Sequence, residues 1–236
     1  MVKGFELKEQ NGTVFLQLPI LRGVRHAFGT RQKGEGTLAA HGLVPRQLLS
    51  LRQVHGAEVL IVKEDPNALI HPLLYDAVIT DREGIALGVW TADCIPILMT
   101  DESKGVIAAV HAGWRGIWQG IVQRAISKMG EVFGSSPRDI LVGIGPGIGP
   151  CCYEIGKDVV DLFRGSHDGG HLFIQERRGR SYLDLCCASR LQLSKARVPP
   201  ENIEDISLCT ACREDLFFSY RRDGKTGRQL SFIMLG

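Results

Sequence analysis

Residues 85–116 read IALGVWTADCIPILMTDESKGVIAAVHAGWRG, and this stretch decides the fold class. It holds three apolar runs, at 85–91, 95–100 and 105–110, which are bounded by Asp, Gly and Ser. Each run is too short for a helix and has the composition of a buried strand. The stretch therefore predicts a set of adjacent buried strands.

Further strands and a few helices are predicted on both sides of this stretch. Strand-like runs lie at 14–18, 26–30, 58–62, 77–80, 140–144, 206–208 and 230–235, and a Gly-rich turn is predicted at Gly34-Glu35-Gly36. Apolar residues at helical spacing predict a helix over 118–133, and further helices are predicted over 153–163 and 185–197. Strands outnumber helices and come in adjacent runs, which favours an α+β fold with mixed β-sheets flanked by helices. Because the sequence contains no recognisable linker, residues 1–236 are predicted to form a single domain.

Composition excludes several classes of protein. The 236 residues carry a net charge of +2, which gives no reason to expect a nucleic acid or a membrane as partner. No apolar run reaches the length of a transmembrane helix, and the first eight residues contain no apolar signal core. Seven cysteines without a signal peptide indicate reduced thiols, so we expect a cytoplasmic protein.

Three residues beside β-like segments form a candidate metal site. They are His55 in LRQVHG, Cys94 in TADC and His111 in VHAGWRG. Two imidazoles and one thiolate suit zinc, with copper as the other candidate ion. Three protein ligands leave a coordination position open for water or substrate, as in catalytic sites. The ligand spacings of 39 and 17 residues match no short zinc motif, so the prediction depends on the fold.

Each of these residues also has a simpler interpretation. Taken alone, Cys94 is as well explained as a small buried side chain, and an isolated histidine is more often structural. Asp93 is interpreted as a turn residue or as a group that orients a ligand histidine, ahead of a general base. A metal-free alternative makes Cys94 the nucleophile and His111 its base in a Cys–His hydrolase.

The remaining cysteines fall in three pairs, which are Cys151-Cys152, Cys186-Cys187 and the Cys-x-x-Cys pair Cys209 and Cys212. Core packing is the first interpretation of the two adjacent pairs. A structural zinc at Cys209 and Cys212 would need a second cysteine pair, for which Cys186 and Cys187 are the candidates.

The Arg-rich segment 217–228 is interpreted as a hairpin turning at Asp223-Gly224 or as a site for a small anion.

Six motifs occur in a characteristic order along the chain. They are RQVHG at 52–56, DAVITD at 76–81, TADCIP at 91–96, HAGWRG at 111–116, IGP through CCYE at 144–154, and FSYRR with TGR at 218–228. In these motifs, over residues 20–236, the chain resembles the laccase-domain (multicopper polyphenol oxidase-like) family. The family is also described as purine nucleoside phosphorylases of the laccase-domain type.

The resemblance implies a zinc enzyme with His55, Cys94 and His111 as metal ligands. It implies phosphorolysis of adenosine, inosine and methylthioadenosine, and deamination of adenosine by water activated at the ion. Cys94, His111 and Asp93 are then the candidate catalytic residues, and the candidates that orient phosphate and leaving group are Arg31, Arg52, Arg115 and Arg221. The older family name implies copper-dependent oxidation of phenols, although three ligands cannot build the several copper centres of a laccase.

The chain departs from the family between Arg31 and Arg52. Only twenty residues separate these arginines, and the Leu-Asn-Leu-Gly, Gly-Asp and Asn-Arg segments of the family are missing. We therefore expect an altered substrate range, weak activity or, as an alternative, a non-catalytic binding role. The sequence leaves the oligomeric state open.

Overall fold

The computed structural model describes residues 4–32, 34–64, 69, 72–166 and 170–236. Its strands are β1 (Glu6–Gln10), β2 (Thr13–Gln17), β3 (Arg25–Gly29), β4 (Leu48–Ser50), β5 (Val59–Val62), β6 (Ala77–Thr80), β7 (Ala86–Thr91), β8 (Ile95–Asp101), β9 (Val106–Ala112), β10 (Leu141–Ile144), β11 (Glu154–Ile155), β12 (Ile174–Arg177), β13 (Arg180–Leu183), β14 (Ile203–Asp205) and β15 (Gln229–Met234). Its α-helices are α1 (Gly34–Ala39), α2 (Trp114–Trp118), α3 (Ile121–Phe133), α4 (Lys157–Ser166), α5 (Leu185–Lys195) and α6 (Tyr220–Asp223).

Within the described residues the strands form two large mixed sheets and one small sheet. The first sheet has six strands in the order β1-β2-β3-β15-β7-β4, and the second has six in the order β14-β10-β8-β9-β6-β5. A three-stranded sheet, β11-β13-β12, lies apart from them. Parallel and antiparallel pairs occur in both large sheets, which confirms the predicted α+β class with mixed sheets.

The second sheet is buried on both faces. On one face Met99 and Val110 share a core cluster with Val122 and Met129 of α3. On the other face Leu98 and Ile107 pack in a cluster with Leu87, Val89 and Ile233 of the first sheet. Every residue of β8 and β9 is therefore buried, which is why their sequences are continuous apolar runs rather than alternating ones.

Two of the predicted helices differ from the observed ones. The predicted helix over 118–133 is two helices, α2 and α3, because Gly120 adopts a left-handed conformation with φ of 82° between them. The helix predicted to begin at Tyr153 begins at Lys157 instead. The residues before it, Glu154–Ile155, pair with β13 as a short strand.

Three predicted local structures are wrong. The strand predicted at 206–208 is observed at Ile203–Asp205, where it pairs in parallel with β10. The Gly-rich turn at 34–36 is the first part of α1. The hairpin predicted at Asp223-Gly224 is instead a short helix, α6. Ser219 caps the start of α6, and its side chain accepts a hydrogen bond from the Arg222 backbone N–H.

None of the helices in the described ranges combines the length and the apolar composition that a bilayer-spanning segment needs.

Candidate metal centre

Strand register brings Cys94 beside His111. In the antiparallel pair of β8 and β9, Pro96 lies opposite His111 and Ile95 lies opposite Ala112. Cys94 immediately precedes β8, so its side chain lies at the edge of the sheet where β9 ends. The Ala92-Asp93-Cys94 turn carries the chain from β7 of the first sheet into β8 of the second, and Asp93 takes a φ of 99° in this turn.

His55 reaches the same edge from another direction. Strand β6 runs antiparallel to β9, and β5 runs parallel to β6, so β5, β6 and β8 all begin at the edge where β9 ends. His55 lies in the loop that precedes β5. Gln53 fixes this loop, because its amide donates to the Trp90 carbonyl at 2.7 Å and accepts from the Trp90 backbone N–H at 2.8 Å.

The three predicted ligands meet at this edge. Ligand atoms of His55, Cys94 and His111 all lie within 4.8 Å of one another. The two imidazole rings are nearly perpendicular, at 84°, with centroids 4.9 Å apart. His111 is buried, Cys94 is half-buried and His55 is exposed. The arrangement fits one tetrahedral transition-metal ion with its fourth position on the open side.

Asp76 holds two of these ligands in place, and sequence reasoning missed it. Its fully buried carboxylate accepts hydrogen bonds from the backbone N–H groups of Val54, His55 and Gly56, at 3.2, 2.9 and 2.7 Å. It also accepts from Nδ1 of His111 at 2.7 Å, which leaves Nε2 of His111 for an ion. The only sequence signal was an aspartate at the start of the DAVITD strand.

The charges at the site favour a deprotonated Cys94. Burial opposes ionisation of this thiol, but the charge of His111 and hydrogen bonds from His111 and His55 outweigh burial and lower its pKa to about 6. Burial likewise opposes protonation of His111, while Cys94 and Asp76 raise its pKa to about 9. Because the thiolate is the form of cysteine that binds metals, the site offers the donor state a cation needs.

Asp93 contacts a different part of the chain from the one expected. Its carboxylate accepts hydrogen bonds from the Thr210 hydroxyl and from the Arg221 backbone N–H, each at 2.7 Å. Its carbonyl accepts from the Ile148 backbone N–H at 2.7 Å. The histidine-orienting contact that was one interpretation of Asp93 is therefore made by Asp76. Asp93 instead joins the metal-site turn to two distant loops.

Two of the four predicted substrate-binding arginines lie near a tyrosine at the site. Arg221 packs over the ring of Tyr153 at 5.0 Å and donates to the Glu154 carbonyl at 2.7 Å. The Tyr153 phenol has its pKa raised by burial and by the charge of Cys94, and both Arg221 and Arg115 oppose that rise. Tyr153, Arg115 and Arg221 thus belong to the surroundings of Cys94.

Within the described part of the chain, the other two arginines make no contact with the candidate metal ligands. Arg31 lies over the Phe218 ring at 5.4 Å and donates to the Glu214 carbonyl. Arg52 is exposed, and its backbone N–H donates to the Leu73 carbonyl at 2.9 Å.

The cysteine pairs are arranged differently from the prediction. Cys186 and Cys187 lie at the start of α5 and do not complete a cluster with Cys209 and Cys212. Cys209 and Cys212 instead lie beside Cys151 and Cys152, and all four sulfur atoms are within 4.8 Å of one another. The prediction that Cys151 and Cys152 pack in the core did not include this cluster.

Comparison with known proteins identifies the family. The model of the family described as multi-copper polyphenol oxidoreductase laccase matches residues 31–236. The chain belongs to this family. A relative from Clostridium acetobutylicum, named a purine nucleoside phosphorylase, is 39% identical over 188 residues, which cover 78% of this chain and 75% of the relative. One from Bacteroides thetaiotaomicron with the same name is 35% identical, covering 84% of this chain and 78% of the relative.

Solved structures of this laccase-domain family share the fold. The hypothetical protein YfiH of Bacillus licheniformis superposes with a TM-score of 0.89 at 28% identity, over 98% of this chain and 99% of that one. YlmD of Geobacillus stearothermophilus gives a TM-score of 0.85 at 30% identity over the same shares of the two chains.

A glycine in α2 sets the position of the His55 loop. A Cβ atom at Gly116 would lie 2.7 Å from the Gly56 carbonyl oxygen, so Gly116→Ala would push the loop away from α2. Alanine normally stabilises a helix by about 1 kcal/mol relative to glycine. Here we expect the opposite sign, a loss of about 1–3 kcal/mol in the free energy of unfolding, together with about tenfold weaker binding of a zinc ion used to probe the site.

Gly165→Ala in α4 is the matched control for this substitution. A Cβ atom at Gly165 would meet no atom within 4 Å. Urea unfolding and zinc competition titrations should show this variant unchanged or more stable, with normal zinc affinity. Equal stability and affinity for the two variants would contradict the steric argument.

Proposed function

We propose that this chain is a zinc-dependent enzyme of purine nucleosides, which cleaves adenosine, inosine and methylthioadenosine with phosphate and deaminates adenosine. The observation that carries the proposal is the meeting of His55, Cys94 and His111 at one sheet edge, with one side open. The names of the relatives from Clostridium acetobutylicum and Bacteroides thetaiotaomicron support the substrate class.

The donor set of the site fits the ion. Nε2 of His111, the thiolate of Cys94 and an imidazole nitrogen of His55 would hold zinc, and copper is the alternative that the same donors accept. When bound, zinc supplies a Lewis acid with an exchangeable position. The hydrogen bond from Nδ1 of His111 to Asp76 fixes which nitrogen of that ring faces the ion.

Charged and aromatic side chains around Cys94 suit a nucleoside and an anion. We assign Arg115 and Arg221 to binding phosphate, because guanidinium groups pair with phosphate oxygens through two hydrogen bonds. Burial raises the pKa of Tyr153, so its phenol keeps its proton and is a hydrogen-bond donor at neutral pH. Tyr153 would donate to the substrate or the leaving group.

We assign Asp93 a positioning role rather than that of a general base. Both of its carboxylate oxygens already accept hydrogen bonds, from Thr210 and from the Arg221 backbone. An oxygen engaged in this way is less available to take a proton from substrate or water. Asp93 therefore keeps Arg221 in place beside Tyr153.

A metal-free Cys–His hydrolase is the second candidate function. The lowered pKa of Cys94 and the raised pKa of His111 describe a thiolate–imidazolium pair, which is the reactive state of such enzymes. A Cys–His pair needs only one histidine, and His55 would do no more than help to stabilise the thiolate, whereas in a metal site His55 supplies the third ligand.

Product analysis by mass spectrometry tests the proposal. The zinc-loaded protein is incubated with adenosine, with and without phosphate, before and after chelation. We expect adenine and ribose 1-phosphate only when phosphate is present, inosine under both conditions, and loss of all products on chelation with recovery on adding zinc.

The other outcomes separate the alternatives. The same adenosine turnover after complete removal of metal would favour the Cys–His pair. No product from zinc-loaded protein with any of the three nucleosides would favour a binding protein. Oxygen consumption with a phenol by copper-loaded protein, without nucleoside turnover, would favour the oxidase that the family name describes.

A further inference from the structure

We propose that Cys151, Cys152, Cys209 and Cys212 form a second metal site, which holds one structural zinc ion. This four-cysteine cluster is distinct from the His55, Cys94 and His111 site and does not depend on the proposed nucleoside chemistry. Both groups fit the size of a single bound ion.

The spacing of the four sulfur atoms fits one tetrahedral ion. All four sulfurs lie within 4.8 Å of one another, and Cys212 Sγ lies 3.5 Å from Cys151 Sγ and 3.4 Å from Cys152 Sγ. Zinc–sulfur bonds of about 2.3 Å in a tetrahedron place the sulfurs about 3.8 Å apart. Binding therefore requires only small shifts, in which Cys212 Sγ moves slightly away from the sulfurs of Cys151 and Cys152. Pairs of sulfurs that lie farther apart than about 3.8 Å, up to the limit of 4.8 Å, move closer.

Two loops from distant parts of the sequence build the cluster. Gly147 and Cys209 form a parallel β-bridge, and the Thr210 backbone N–H donates to the Gly147 carbonyl at 3.0 Å. These contacts lock the loop that ends in Cys151-Cys152 against the turn that contains Cys209 and Cys212. The sulfurs are therefore brought together by the backbone before any ion binds.

The backbone also donates to one of the four sulfurs. Cys209 Sγ accepts a hydrogen bond from the Gly149 N–H at 3.2 Å. Four thiolates around one divalent cation carry a net negative charge, which backbone N–H donors of this kind help to balance.

Geometry favours an ion over a disulfide. Cys212 lies at nearly equal distances from Cys151 and Cys152, so no single pair is selected for an S–S bond. Four thiolates fill a tetrahedral coordination shell and leave no open position, as in structural rather than catalytic zinc sites. The exposure of Cys151 and Cys212 gives the ion a route into the cluster.

An ion in this cluster would stabilise loops that lie beside the candidate metal centre of His55, Cys94 and His111. Thr210, between the two turn cysteines, donates its hydroxyl to Asp93, and Arg222 donates to the carbonyls of Thr210 and Ala211. Tyr153 directly follows Cys152. Binding of zinc would thus fix the loops that carry Tyr153 and that hold Asp93 in place.

Zinc content of the full-length protein, purified with its thiols reduced, tests the proposal. We expect two zinc ions per chain in the wild type and one in Cys94→Ala, where only the four-cysteine cluster remains. Adding Cys212→Ser to Cys94→Ala should release that last ion, whereas adding Cys187→Ser should leave it bound. No zinc in Cys94→Ala, iron in place of zinc, or one zinc remaining after Cys212→Ser would overturn the proposal.

Alkylation of the wild type gives a readout that does not depend on how variants fold. Iodoacetamide labelling, followed by peptide mass spectrometry, is compared before and after chelation. We expect zinc to slow labelling of Cys151 and Cys212 at least tenfold, while the labelling rate of Cys187 stays the same. Equal labelling of Cys212 with and without zinc, or a disulfide from Cys212 to Cys151 or Cys152 in freshly purified protein, would refute the site.

Discussion

Replacing Cys94 by alanine is expected to remove one zinc ion per chain and to lower kcat/KM for adenosine by at least about 10³-fold. Cys94 supplies the one thiolate of the site, and its sulfur lies within 4.8 Å of the ligand atoms of His55 and His111. Two imidazoles alone form a much weaker site, since the charge and softness of the thiolate are lost with Cys94. Cys94→Ser should lose the ion as well, because a serine hydroxyl does not ionise at neutral pH.

Cys187→Ala provides the control for this loss. It also removes one partly buried thiol, but from the first turn of α5. Zinc content and steady-state kinetics measured in parallel should show Cys187→Ala close to wild type. Undiminished turnover of adenosine by Cys94→Ala would contradict both the zinc-enzyme hypothesis and the Cys–His hydrolase hypothesis, since each needs this sulfur.

The central strands could be predicted because their sequence and burial agree. Continuous apolar runs such as 95–100 are short and bounded by polar residues, and the structure covers them on both faces. The three candidate metal ligands could be named for a related reason, because each lies next to such a run. Residue type alone left a structural role open for each of them, and only the fold brings the three together.

Asp76 could not be found in this way, because its role depends on strand register. It lies 35 residues before His111, and the contact between them exists only because β6 and β9 pair with Ala77 opposite Val110. An aspartate at the start of a strand is otherwise an ordinary feature. The sequence analysis considered Asp93 for the role of orienting a ligand histidine instead, because Asp93 directly precedes Cys94.

The four-cysteine cluster was missed for the same physical reason. Cys152 and Cys212 are 60 residues apart, and the bridge between Gly147 and Cys209 that brings their loops together has no sequence signature. The sequence analysis instead named Cys186 and Cys187 as the candidates for the second pair. The break between α2 and α3 at Gly120 could not be predicted either, because the helical spacing of apolar residues continues across Gly120 although the helix does not.

The short segment between Arg31 and Arg52 retains a packing role. It contributes α1 and the edge strand β4 of the first sheet, and its Leu38 and Leu43 cover the outer face of that sheet against Phe232. The segment therefore completes a core layer without the polar motifs expected from the family. Altered substrate range, weak activity and a non-catalytic binding role all remain predictions, since each is compatible with this packing.

Asp76→Ala is expected to lower both stability and zinc affinity. The substitution removes the acceptor of the buried imidazole N–H of His111 and of three backbone N–H groups in a partly exposed loop, those of Val54, His55 and Gly56. An unsatisfied buried donor costs about 1–3 kcal/mol, and the loop N–H groups, which water can reach in part, cost less each, so we expect a loss of about 2–4 kcal/mol in the free energy of unfolding. Loss of the group that orients His111 should also weaken zinc binding about 10–100-fold.

Asp101→Ala separates the two effects of Asp76→Ala. Asp101 is a fully buried aspartate at the opposite end of β8, where it accepts hydrogen bonds from Ser103 and Lys104. Its removal should cost stability while leaving zinc affinity unchanged, because it lies away from the edge where the ligands meet. Urea unfolding of the metal-free proteins and competition titrations with zinc measure the two quantities independently. If Asp76→Ala and Asp101→Ala bound zinc equally well, the carboxylate of Asp76 would support the fold alone and would not set the ligand geometry.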